Sequence, residues 1–133
     1  MEENPLGILL ADEKEIDAQL LARLLRRFIM IGKESGKIIP RSDFASLPEK
    51  DKILVFLVAR KAAVAIGVAA EEGATSIDIS QGTGVNYNSV RGYLSQFLKE
   101  NLVQVGNSKY FVPSHAIPQI EERVKRIGGD SNE

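Results

Sequence analysis

The chain contains no cysteine, so neither a disulfide framework nor a thiolate metal site can hold it together. Its single histidine, His115, leaves no ligand set for zinc and no Ser-His pair for nucleophilic attack. A structural or solvent-exposed role is expected for it. Neither "GKESGK" nor "QGTG" has the spacing ending in Lys-Ser/Thr that a P-loop needs. No pair of carboxylates shares a predicted apolar face, which removes the usual acid–base candidates. No enzymatic activity, catalytic residue, metal or cofactor is expected. The longest apolar run, "ILVFLVARKAAVAIGVAA" at residues 53–70, is split by Arg60 and Lys61. Neither half approaches the roughly 20 residues of a membrane-spanning helix. It reads as a buried helix with apolar surface to spare for a second subunit. The acidic N-terminus has too short an apolar run for a secretory signal, and a cytoplasmic protein is expected.

What is present suits one domain with a real core: 133 residues, 44% hydrophobic and 26% charged. Net charge is −1, which argues against a generic polyanion binder, but the charge is unevenly spread. Residues 1–17 hold six acids against Lys14. Residues 23–41 hold six bases against Glu34. The basic stretch reads either as a solvated helix face or as a phosphate-facing patch, with Arg23, Arg26 and Arg27 as its candidate contacts. No internal repeat or low-complexity segment is present.

Residues 12–31 place Ile16, Leu20, Leu24, Phe28 and Ile31 on one helical face, with acids early and arginines late. Gly32, Gly36 and Pro40 break this helix, leaving a connection with a short extended piece at 37–39. In "SLPE", Ser46 and Glu49 predict a capping box, with Pro48 in the first turn, for a helix running to about Ala70. Gly67 inside that helix implies a close helix crossing. "TSI" predicts a three-residue strand, after which Ser76 caps a two-turn helix that Gly84 stops in the left-handed conformation. Val85 returns to the core and Asn86 caps a helix over about 87–101. Val90, Tyr93, Leu94, Phe97 and Leu98 form its packing side, opposite Asn88, Ser89, Arg91, Ser95, Gln96 and Lys99. Residues 102–112 read as two β-prone runs around Gly106-Asn107-Ser108, ended by Pro113. Tyr93, Tyr110 and Phe111 are expected in the core. Ile117, Ile120, Val124 and Ile127 predict a C-terminal helix, and the last six residues are expected to be disordered.

The order helix, short strand, two-turn helix, tight turn, amphipathic helix, hairpin resembles a winged helix-turn-helix. Thr83-Gly84-Val85, Ser89-Val90, Leu94, Phe97-Leu98 and Asn101-Leu102-Val103 carry the resemblance. It spans residues 48–113, flanked by residues 1–47 (an acidic tail, a helix and a connection) and 114–133 (a helix and tail). The fold class implied is mainly α (α+β), a winged helix-turn-helix with extra N-terminal and C-terminal helices, like small bacterial and archaeal regulators.

The resemblance implies a transcription regulator of double-stranded DNA, with the 87–101 helix in the major groove and the 103–112 hairpin as wing. Asn86, Tyr87, Asn88 and Ser89 would reach base edges. Arg91, Ser95, Gln96 and Lys99 lie further along the same face. Asn107, Ser108 and Lys109 would meet backbone or minor groove. One departure is Gly92, where many relatives carry a phosphate-binding Arg. A homodimer through the terminal helices or the 53–70 helix would double the contacts. The alternative is a winged helix used as a protein-protein interaction module in a larger assembly, which fits the low charge of this face: three bases against two acids over residues 75–115.

Overall fold

The computed structural model of the chain describes Leu6 and residues 13–129, with side chains over 18–126. The Ile16 and Ile127 side chains and residues 130–133 of the expected tail lie outside the described residues. In chain order the elements are helix α1 (Glu13–Leu25), strands β1 (Ile29–Ile31) and β2 (Ile38–Pro40), and helices α2 (Ser42–Ala45), α3 (Glu49–Ala65), α4 (Ser76–Thr83) and α5 (Tyr87–Lys99). Strands β3 (Gln104–Gly106) and β4 (Lys109–Phe111), a 3-10 turn at Ser114–Ala116 and helix α6 (Ile117–Gly129) follow. The described residues are mainly helical with two separate two-stranded antiparallel sheets, an α+β arrangement. No described helix is long and apolar enough to cross a membrane.

Helix α3 is apolar around its whole circumference, and such a helix must be covered on every side. Ile53, Leu54, Val55, Leu57, Val58 and Ala59 are all buried. Their cover comes from α1, α4, α6, β4 and the β1–β2 hairpin. One continuous hydrophobic cluster therefore runs from Leu21 to Val124. The stripes that suggested self-association are spent here: Leu21, Leu24, Leu25 and Phe28, and likewise Ile117, Ile120 and Val124, pack into the same core. At the start of α3, buried Asp51 accepts from Arg123 Nε at 2.7 Å, tying α6 to it.

The expected helix over 12–31 is too long. It ends at Leu25, a turn follows, and Ile29–Ile31 pairs with Ile38–Pro40 as a hairpin. The apolar run fits both periods, and β pairing with 38–40 decides it. Helix α3 likewise stops at Ala65 rather than Ala70. Gly67 adopts φ +84°, its N–H bonds Val64 O, and Val68 N–H bonds Ala63 O. That pattern is a Schellman stop, so Gly67 marks a helix end and not a helix crossing.

The predicted capping box at Ser46 and Glu49 is absent, because Pro48 is the N-cap and Ser46 closes α2. Thr75, not Ser76, caps α4: Thr75 Oγ1 accepts from Asp78 N while Asp78 Oδ2 accepts from Thr75 N, both at 3.1 Å. The expected strand at "TSI" reduces to a single bridge from Ala74 to Tyr110. Of the expected tail, Gly128 and Gly129 belong to α6.

A close approach of two helices does occur at Gly82, where α4 meets α3: a Cβ there would overlap the Phe56 ring. Gly82→Ala should therefore destabilise the protein by about 1–3 kcal/mol through overpacking. Gly92 on α5 has nothing within 4 Å of its Cβ direction. Gly92→Ala should instead stabilise by up to about 1 kcal/mol from helix propensity alone. Urea unfolding of the two variants measures both, and the signs should be opposite.

Candidate nucleic-acid interface

The turn that aims α5 is fixed by short-range chemistry. Thr83 Oγ1 donates to Ile79 O at 2.7 Å and accepts from Val85 N at 3.2 Å. Ser80 Oγ donates to Val85 O at 2.6 Å. Gly84, at φ +80°, provides the left-handed step that a β-carbon would strain. Val85 is buried as expected, and Asn86 Oδ1 caps α5 by accepting from Asn88 N at 2.9 Å. Three hydroxyl bonds and one glycine thus set the angle between α4 and α5.

Helix α5 is divided as the sequence implies. Val90, Leu94 and Phe97 are fully buried and Leu98 is partly so. Asn88, Arg91, Gly92, Ser95 and Lys99 are exposed, at spacings that place them along one stripe. Ser89 and Gln96 are half-buried at its edges. Tyr87 is 41% exposed, with the Arg91 guanidinium 5.9 Å from its ring centre. Among the described residues neither Arg91 nor Lys99 has an ion-pair partner. Gln96 is less available, since its amide donates to Glu100 at 3.0 Å.

Tyr93 and Tyr110 pack against the edge of the core and are only partly buried. Tyr93 donates its hydroxyl to Glu49 Oε1 at 3.1 Å, joining α5 to the start of α3. Phe111 is half-buried as well.

The hairpin differs from expectation at its tip. Gly106 belongs to β3, and the turn is Asn107-Ser108 with both residues left-handed, φ 53° and 64°. Two consecutive left-handed residues make a type I′ turn, the form whose twist suits a hairpin. Both are exposed. Lys109 is not a free amine: both Glu71 oxygens hold its Nζ at 2.9 Å. Glu71 is held in turn by its own segment. Arg60 donates to the carbonyls of Glu72 and Gly73 at 2.9 and 2.8 Å, fixing the strip that reaches β4 through the Ala74–Tyr110 bridge.

The basic stretch on α1 is mostly committed too. Arg23 meets Glu121 in a bidentate pair, which raises the Arg23 pKa and lowers that of Glu121 through their hydrogen bond. Arg27 pairs with Asp43 at 3.1 Å and lies over Phe28. Arg26 alone of the three has no ion pair among the described residues. Two of these three arginines therefore fasten α6 and α2 to the core and do not extend the α5 stripe. His115 is exposed.

Glu71 and Arg60 gave no local signal in the sequence, because their partners lie 38 residues away and across a loop. The Thr75-x-x-Asp78 cap is legible by its spacing, and Ser76 is the first residue inside the helix. Comparison of the chain with known protein families, with curated proteins and with solved structures finds no match.

One titration tests how α5 is seated. The hydrogen bond to the Glu49 carboxylate, then desolvation of the phenol, then the Glu49 charge raise the Tyr93 phenol above its ordinary value. Held protonated when folded, the phenol contributes stability fully below the ordinary tyrosine value and loses it as pH rises through the raised one. Ultraviolet titration should show Tyr93 ionising at lower pH in Glu49→Gln than in the parent chain. An unchanged curve would break the link between α3 and α5.

Proposed function

We propose that residues 48–113 act as a winged helix-turn-helix and that the protein binds double-stranded DNA as a transcription regulator. In this reading α5 is the recognition helix and the β3–β4 hairpin is the wing. The observation that carries the reading is the exposed stripe Asn88, Arg91, Ser95 and Lys99. It stands on a helix whose opposite side is locked into the core and whose entry angle is set by the Thr83–Asn86 turn. An α-helix fits the major groove, where Asn can pair with adenine and Arg with guanine in a bidentate manner. Asn86, Tyr87, Asn88 and Ser89 supply the N-terminal end that reaches base edges in helix-turn-helix docking.

With Arg91 and Lys99 as its uncommitted cations, the stripe should release few counterions. Binding to random duplex DNA should fall with salt at a log–log slope of about −2 per chain. Docking of two copies on a two-fold site would double that.

A second reading is a protein-binding module. It is favoured by the exposed Ile77, Tyr87 and Val105 and by the intramolecular pairing of Lys109. Fluorescence anisotropy against salt separates the two, since absence of binding at low salt eliminates the DNA reading.

Within the DNA reading, Arg91→Ala should weaken specific binding by about 1–3 kcal/mol. Preference relaxes at one base pair if a base contact is lost, whereas the salt slope becomes shallower by about one if a phosphate contact is lost. Gly92→Arg should steepen the slope by about one, because its position is open and exposed.

The hairpin makes a separate prediction. Glu71 competes with phosphate for the Lys109 ammonium. Glu71→Gln should therefore tighten non-specific binding and steepen the slope by about one. That gain should vanish in a Lys109→Ala background. A gain that survives there would mean that Glu71 acts by general repulsion and not through Lys109.

A further inference from the structure

The α1–α3 side of the molecule carries a cavity of about 800 Å³. That lies within the roughly 300–1,000 Å³ of sites that take small organic ligands. No residue of α4, α5 or the β3–β4 hairpin lines it, so it stands apart from the DNA reading.

Its walls are strongly apolar. Leu21, Leu25 and Ile29 line it and are almost fully buried, whereas Ala22, Met30 and Ile66 line it and are exposed. Charge enters at three described residues only: Arg26, Lys61 and Glu72. Lys61 Nζ lies 3.1 Å from Glu72, and the two cancel in a half-buried pair. Among the described residues Arg26 is left as one uncompensated guanidinium at the edge of an apolar space.

We infer that this cavity binds a small aliphatic carboxylate, its chain on the apolar walls and its head group on Arg26. The charge pattern selects that chemistry. A cationic ligand is repelled by Arg26, and a neutral hydrocarbon gains nothing from it. A carboxylate forms a bidentate, charge-assisted pair with a guanidinium. The nearby C-terminal end of α1 opposes an anion, but more weakly than such a pair attracts it. The competing occupant is a second copy of this chain, entering through Met30 and Ile66.

Calorimetric titration of the full chain with decanoate tests the inference. Saturable binding of one decanoate per chain is expected. Affinity should drop about fourfold for each methylene removed, read with octanoate and hexanoate. Decanol should bind at least tenfold more weakly than decanoate, and Arg26→Gln should erase that difference. Ala22→Phe should abolish binding by filling the space. Both substituted positions are exposed, so both variants should fold, which their unfolding curves check. Equal affinity for decanoate and decanol would overturn the carboxylate site, as would the absence of saturable binding. Sedimentation showing a dimer at tens of micromolar that Ala22→Phe dissociates would overturn it in favour of a copy–copy contact.

Discussion

Helix α3 has no polar face along its middle, and that constraint organises the chain. Every direction around Ile53–Ala59 has to be shielded from water, which takes elements from both termini as well as those nearest in sequence. The N-terminal helix, the β1–β2 hairpin and the C-terminal helix are therefore structural cover, not appendages. The charged residues that α3 does carry lie toward its ends, and those nearest the core are bonded. Asp51 meets Arg123, Arg60 holds three successive carbonyls of residues 71–73, and Lys61 meets Glu72. Removing one partner of the Asp51–Arg123 pair would leave a nearly buried carboxylate uncompensated, the situation in which ion pairs matter most.

Burial of α3 also explains why α5 has a free side. Its share of the core is met by Val90, Leu94 and Phe97, with Tyr93 tied to Glu49 at the edge. Nothing in the described chain covers the other side. A helix so placed is rigid where it packs and open where it faces solvent, the combination that a recognition surface needs.

The sequence revealed α5 and its entry turn well because their signals are local. A left-handed glycine, an Asn cap and a 3.6-residue apolar period all act within a few residues, and nothing distant competes with them. It misplaced the end of α1 because Phe28–Ile31 continues the helical spacing while Ile29–Ile31 also forms a strand. Only the pairing with 38–40, a tertiary event, separates the two. Gly67 shows a related ambiguity, since a glycine within a long apolar run reads equally as an interior contact or a terminator. The hydrogen bonds from Gly67 and Val68 decide for the terminator. Gly82, which does mediate a close approach, looked like an ordinary residue of a short helix.

The candidate site was legible as positions but not as charges. A sequence counts cations, whereas their availability depends on partners far along the chain. Lys109, Arg23 and Arg27 all counted toward a basic surface, and all three are held by carboxylates of other elements. What remains on α5 is two cations among uncharged hydrogen-bonding groups. If this face reads DNA, that balance has a consequence for selectivity. Phosphate contacts strengthen binding to every sequence alike, and discrimination comes from groups that meet base edges. A genome presents non-specific sites in vast excess, so the ratio of specific to non-specific affinity decides occupancy. A stripe poor in cations and supplied with Asn88 and Ser95 trades overall affinity for that ratio. On that reading the carboxylate of Glu71 would act in the same direction, by keeping Lys109 from indiscriminate phosphate contacts.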